Sequence, residues 1–390
     1  MFINQILDGL TSINKPQAKF LQTLFSTMLV CQSAINFLSL ARHSALCEKT
    51  FRRNFRKQFC FAAFNLKVIE QSVSAKPIAF AQDASFIKKS GKHTFGLDQF
   101  WNGSAGRVEK GLELSLISAL DAEQNASFAV SAEQTPPNLK TRKTRIDFYL
   151  EHLQRTAGSF PDSIQYGIFD GFYAKQKFVG GVLALGFHLI SKLRSDADLK
   201  YLYTGEQVGR GRPRRFDGKV DFADLARFTE TAPEEKNVKL YAAILWSVTL
   251  KRRIKLVIVK VGKRQTNLFA TDIELSATEV FRLYRRRFTI EFLIRDAKQS
   301  AGLQDCQARD KQALEFHWNA SLATVNLART VAKKSALEDN CQPFSMKSIK
   351  QQFFNEHLLR LFISKSGLEQ SLIKYQEHFE TLRNFAVISP

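Results

Sequence analysis

A mixed α/β fold with helical regions at both ends is predicted by three features of this 390-residue sequence. Residues 1 to about 70 place apolar residues at helical spacing, as in Phe20, Leu21, Leu24, Phe25, Met28 and Leu29, with no strand signal between them. From residue 76 the pattern changes to short apolar runs separated by turns, and after Asp272 it returns to helix and stays mainly helical to the end. A hydrophobic fraction of 44% with only 19 Gly and 9 Pro excludes a collagenous or low-complexity chain and leaves enough apolar surface to bury a core. The chain is expected to divide into regions 1–72, 73–203, 204–271, 272–310 and 311–390.

Within the first region, SALCEKTFRRNFRKQF reads as a short helix, a break and a second helix carrying Arg52, Arg53, Arg56 and Lys57. A helix-turn-helix and an amphipathic helix with a solvated basic face both fit it. KPIAFAQDASF, HTFGLDQFWNG, GLELSLISALD and NASFAVSAEQT then read as the strands of an antiparallel meander. Pro136-Pro137 and a basic loop close it, and RKTRIDFYLEHLQRTAG reads as a helix ended by Gly158. The strand SIQYGIFD, the helix FVGGVLALG and the extended FHLISKLRSDADLKYLY follow. Residues 204–237 are polar and turn-rich, and contain GRGRPRRFDGK. YAAILWSVTL and IKLVIVKV look like a hairpin joined by Lys251, Arg252 and Arg253, and Ser276 is the expected N-cap of the next helix.

With 57 Lys+Arg against 37 Asp+Glu, the net charge is +20. Such a charge favours phosphate-rich partners, because neutralising backbone phosphates releases counterions, and it points to nucleic acid over membrane. No apolar stretch reaches the roughly 18 residues of a membrane helix, and MFINQILDGLTSINK lacks the layout of a signal peptide, so a soluble cytosolic protein is expected. Cys31, Cys47, Cys60, Cys306 and Cys341 are irregularly spaced, and the seven histidines form no pair at metal-ligand spacing; neither a disulfide framework nor a zinc site is indicated. The absence of a Gly-x-x-x-x-Gly-Lys-Ser/Thr loop argues against ATP hydrolysis.

The most informative stretch is YRRRFTIEFLIRDAK, residues 284–298. On one helix Tyr284, Glu291 and Lys298, seven apart, fall within about 20° of a single face, with Arg287 on the same stripe. One carboxylate thus sits among three phosphate-seeking groups. An ordinary amphipathic helix would instead turn this stripe to solvent and pack Phe288, Phe292 and Ile294 inward. Asp83 and Asp170 each end an apolar strand, where two hard oxygen ligands can converge in a mixed sheet. Mg²⁺ favours such oxygens, and paired ions can hold the attacking and leaving oxygens of a phosphoryl displacement.

These residues resemble a known family. Tyr284, Arg287, Glu291 and Lys298 fit Y-x-x-R-x-x-x-E-x-x-x-x-x-x-K, the signature of a branch of DDE transposases of bacterial insertion sequences; FAQDASFIKKSGKHTFG and YGIFDGFYAK look like its two Asp blocks. The spacings are similar as well, with 87 residues from Asp83 to Asp170 and 121 on to Glu291. Phe288 departs from the Trp often found there but keeps an aromatic. The resemblance, over roughly residues 76–305, implies an RNase H-like core with a β-rich insertion, and Asp83, Asp170 and Glu291 as catalytic Mg²⁺ ligands, with Mn²⁺ able to substitute. It implies a nucleoid-associated enzyme of the cytoplasm that cuts transposon ends at their inverted repeats and joins them to target DNA, often through a hairpin. Tyr284, Arg287 and Lys298 would grip phosphates, a homodimer would form on DNA through the C-terminal region, and residues 1–72, with Arg52, Arg53 and Arg56, would bind DNA.

Arg210-Gly211-Arg212-Pro213 resembles the core of an AT-hook, with Arg214 and Arg215 beside it, although a solvated basic turn fits the same residues. In relatives a Trp of the insertion stacks on a flipped base, which would fall to Trp246, although a lone Trp in an apolar strand also suits core packing. Trp101 and Trp318 have less to recommend them. A structure-selective nuclease on the same fold and a non-catalytic DNA-binding protein are the alternatives.

Overall fold

The computed structural model describes residues 2–10, 12–73, 77–121, 125–139, 143–206, 209–233, 235–336, 344–366 and 376–387, so Cys341 lies outside the described residues. The chain begins with helices α1 (Phe2–Asp8), α2 (Lys15–Val30), α3 (Phe37–Arg42), α4 (Glu48–Asn54) and α5 (Phe61–Ser72). Asn14 caps α2 by accepting the Gln17 N–H at 2.9 Å, and Pro16 in the first turn sacrifices no hydrogen bond there. The expected second basic helix is shorter than its charge pattern: α4 stops at Asn54, leaving Arg56 and Lys57 in the turn beyond it. The chain turns there to seat Phe55 against Phe20, Phe37 and Phe316.

Strands β1 (Ala79–Lys88), β2 (Asp98–Asn102), β3 (Arg107–Asp121) and β4 (Ala126–Gln134) follow. They depart from a simple meander. The long β3 pairs with all of β1 along one edge, Asp83 opposite Leu116, while β2 and β4 share its other edge. Only β3 has the length to pair all ten residues of β1, because β2 is five residues long. Helix α6 (Arg145–Ala157) starts with a Thr144/Asp147 capping box. Then come β5 (Tyr166–Phe169), parallel to β1, a single 3₁₀ turn (Gly171–Tyr173), α7 (Gln176–Ala184), and β6 (His188–Leu193), parallel to β5. The order β4-β3-β1-β5-β6 is the mixed sheet of an RNase H-like core.

Strands β7 (Leu199–Leu202), β8 (Phe216–Lys219), β9 (Thr229–Thr231), β10 (Val238–Ser247), β11 (Arg252–Val261) and β12 (Arg264–Ala270) do not form a separate layer. They extend the same sheet, because β12 pairs antiparallel with β6 and the order continues β12-β11-β10-β7-β8. Lys251, with φ of 51°, makes the left-handed turn of the β10–β11 hairpin. Helices α8 (Ala277–Arg286), α9 (Thr289–Ser300), α10 (Lys311–Ala336), α11 (Met346–Lys365) and α12 (Gln376–Arg383) complete the chain.

Alternation along β1 sends Ala79, Ala81 and Ile87 to the core shared with the N- and C-terminal helices, while Phe80 enters a second core under α6 and α7. Helix α10 seals the exposed edge of β4. Asn319 and Asn326 each accept a main-chain N–H from β4 and donate back to the carbonyl of the same residue, Ala132 and Ala129, at 2.8–3.0 Å. Two asparagines seven residues apart thus replace a neighbouring strand and satisfy an edge that would otherwise invite pairing with another chain. No helix among the described residues is long and apolar enough to cross a membrane.

Candidate active site

Asp83 lies in the middle of β1, with the same parity as Ala81 and Ile87, and so faces the helices. Asp170 directly follows β5, the parallel neighbour, where the strand gives way to the 3₁₀ turn; its Oδ1 accepts the Phe172 N–H at 2.9 Å. Its carbonyl is fixed by the Ser191 hydroxyl of β6 at 2.7 Å. Helix α9, which follows α8, supplies the third carboxylate, Glu291. Ser276 caps α8 as expected, accepting the Glu279 N–H at 3.1 Å.

The stretch 284–298 is not one continuous helix. Between α8 and α9, the N–H groups of Arg287, Phe288, Ile290 and Glu291 bond to carbonyls three residues back, at 3.0–3.4 Å, so the junction winds as a tighter 3₁₀ turn. Tyr284 and Glu291 therefore stand on separate helices and do not share one helical face through their seven-residue spacing. Arg287 of the polar stripe nevertheless turns inward, while the Glu291 side chain remains 41% exposed. Phe288 and Phe292 are 49% and 37% exposed and pack edge-to-face on each other, whereas the Arg287 side chain is only 17% exposed. A solvated polar face with all three apolar residues packed inward is therefore not what forms; of the three expected packing residues only Ile294 is buried.

Arg287 joins two of the carboxylates. Its Nη1 donates to Asp83 Oδ2 at 3.2 Å and its Nη2 to Glu291 Oε1 at 2.9 Å. Burial pushes the Asp83 carboxyl up to about 6; Arg287 opposes this, and the charges of Asp170 and Glu291 add to it, which places both other acids within electrostatic reach of Asp83. Burial also raises the Tyr284 phenol, with Arg287 holding it back. Lys298, lowered by burial, donates from Nζ to the Phe86 carbonyl at 2.8 Å, three residues along β1 from Asp83.

The other expected contacts lie apart from this centre. Arg210, Arg212, Arg214 and Arg215 are exposed, between Gly209 and Gly211 of positive φ and the start of β8. Arg214 is engaged by Asp217 at 2.6 Å and stacks over Tyr203. Trp246 is half-buried against Phe216. In α4 and the following turn, Arg52 pairs with Glu48 and Arg56 with Asp310, while Arg53 is exposed and makes no ion pair among the described residues. One neighbour of the site was not singled out from the sequence. Tyr173 is 1% exposed, its hydroxyl has no hydrogen-bond partner among the described residues, and its proton is held on by burial and by nearby Tyr149, Asp83 and Asp170. It lies in GFYAK after Asp170, where an aromatic in a turn reads simply as packing.

Three hard carboxylates, one of them pushed up chiefly by burial, form a donor set suited in chemistry to a divalent cation. As placed, Arg287 supplies the positive charge between two of them, and no three His, Cys, Asp or Glu side chains among the described residues stand close enough to hold an ion. The chemistry of the set suits such an ion, and its present spacing is that of an Arg287-bridged pair with Asp170 beside Asp83. A family profile described as Transposase DDE domain matches residues 74–327. A comparison with curated proteins gave no match.

Proposed function

The chain belongs to the DDE-domain transposases, a family of DNA-binding phosphoryl-transfer enzymes, and from that premise we propose that it cuts the ends of a mobile element and joins them to target DNA. The observation that carries this reading is the Arg287 bridge, which ties Asp83 on β1 to Glu291 on α9 beside Asp170, although 208 residues separate the first acid from the last. When bound, divalent cations, Mg²⁺ or in its place Mn²⁺, would supply Lewis-acid activation of the phosphate and of the attacking oxygen; Asp83, Asp170 and Glu291 would hold them.

The protein's own groups supply the rest. Arg287 exchanges its carboxylate partners for a DNA phosphate, an anion its planar fork binds equally well. Tyr284 and Lys298 flank it and orient the strand. By resemblance to the branch with the Y-R-E-K signature, cleavage would run through a DNA hairpin. Exposed Leu358, Leu361 and Phe362 on α11, with Phe385 after α12, support a homodimer on DNA. The basic Arg210–Arg215 loop and Trp246 support contact with transposon ends, and residues 1–72 support a further contact through Arg53. A cytoplasmic, nucleoid-associated location follows from a DNA substrate and a charge of +20.

Glu291→Gln tests the assignment. It removes one metal ligand and one charge, so cleavage and strand transfer of end-bearing DNA should be abolished while gel-shift affinity stays largely intact. Equal loss of binding and cleavage would make α9 structural instead. Cleavage without joining in the wild-type protein would replace the transposase reading by a nuclease.

A further inference from the structure

Beyond the far end of β1 lies a pocket of about 830 Å³ lined by Lys88, Lys89, Lys92, His93, Lys110 and Arg309. Its one acidic side chain, Asp305, is already engaged by the Ile35 N–H at 2.7 Å. Lys89 donates to the Cys306 carbonyl. Lys88, Lys92, Lys110 and Arg309 are exposed and make no ion pair among the described residues. The walls are held by the main chain, since the Phe95 N–H donates to the Arg309 carbonyl at 2.8 Å, and Gly91 at φ 109° makes the loop's turn. A concentration of unpaired cations in a fixed concavity attracts a polyanion.

Two further features continue this surface. Lys298 of α9 is bonded to the carbonyl of Phe86, which lies on β1 between Asp83 and the pocket. The β2–β3 hairpin presents Trp101, 56% exposed, cross-strand from Val108, two residues from Lys110 and on the same face of β3. An aromatic beside a row of cations is the pattern that binds a nucleic-acid strand through stacking and phosphate contacts. From Asp83 to Lys88 is about 17 Å along β1, or about five base steps of a duplex.

We propose that this pocket and the Trp101 face of the hairpin hold the DNA backbone about five base steps from the phosphate at Asp83, forming a second DNA-binding surface. The proposal rests on the transposase reading of the site and adds to it where the substrate runs. Trp101, not only Trp246, then serves as an aromatic contact.

The test compares the full-length wild-type protein with the triple variant Lys92→Ala, Lys110→Ala, Arg309→Ala and with Trp101→Ala, using a random-sequence DNA duplex and fluorescence anisotropy over a KCl series. The triple variant should bind more weakly, and its plot of log affinity against log salt should be shallower by about two to three, at roughly 0.9 per lost phosphate contact. Trp101→Ala should weaken binding with no change in slope. In the wild type, duplex DNA should protect Lys92 and Lys110 from acylation read by mass spectrometry, whereas inorganic phosphate should not. An unchanged slope in the triple variant, acylation unaffected by DNA, or equal protection by inorganic phosphate would overturn the proposal while leaving the catalytic assignment intact. A wild-type protein that binds no DNA at any salt would overturn the transposase reading and this proposal together.

Discussion

Replacing Asp83 by Asn should make the metal-free protein more stable above neutral pH. The carboxyl is crowded by burial and by the charges of Asp170 and Glu291, which lift it from an ordinary 3.8 to about 6. A carboxyl whose folded value is raised binds its proton more tightly folded than unfolded. Its ionised form therefore penalises the fold: the penalty is absent below pH 4, grows between 4 and 6, and is complete above 6. At 1.36 kcal/mol per tenfold, the full effect is about 3 kcal/mol. Because the side chain is 22% exposed, water screens part of it, and a gain of about 1–3 kcal/mol is expected. Asn keeps the shape and can still accept the Ala84 N–H that Asp83 Oδ1 takes at 2.8 Å. Urea denaturation in EDTA should show the variant more stable than wild type near pH 8 and indistinguishable from it near pH 4. Excess MgCl₂ should then stabilise the wild type but not the variant, since only the charged set binds the ion. A variant destabilised at both pH values, or one with the same gain at both, would refute the argument that crowding of acids at this site is what a cation relieves.

Three other outcomes are expected. His152, fully buried between the hydroxyls of Ser115 and Ser131 at 2.9 and 3.0 Å, is pushed down to about 4, chiefly by burial. The folded protein thus keeps it neutral while the unfolded chain protonates near 6.5, so stability is lost as pH falls from 6.5 towards 4, by up to about 3 kcal/mol. His152→Gln should flatten that part of the urea-midpoint profile, and an unchanged slope would exclude His152 as its source. Ser276→Ala removes the cap of α8 and should cost about 1 kcal/mol in the same assay; a change near zero would mean that packing alone starts the helix. Replacing Arg210 and Arg212 together by Ala should weaken binding to A·T-rich ends more than to other sequences and reduce the salt slope by up to about two. Equal losses on every sequence would identify a basic turn without groove reading.

The sequence by itself determined the elements in which most of the candidate site residues sit. The change of apolar period at residue 76 and again after Asp272 marks the helical ends and the sheet between them, because periodicity is a local property of the chain. The Ser276 cap and the β10–β11 hairpin were legible for the same reason. Choices among distant partners were not. That β1 pairs with β3 and not β2 depends on strand lengths 20 or more residues apart, and the closure of β4 by Asn319 and Asn326 depends on a helix nearly 190 residues away. The winding between α8 and α9 was likewise set by packing. The 3₁₀ junction turns Arg287 toward Asp83 and leaves Phe288 and Phe292 outside, against the preference that spacing alone would assign. Exposure separates the tryptophans in the same way, with Trp246 against Phe216 and Trp101 open on its hairpin. Local propensities differ by a fraction of a kcal/mol per residue, whereas burying one side chain or satisfying one buried polar group is worth about 1–3 kcal/mol. Where the two disagree, the tertiary contacts decide.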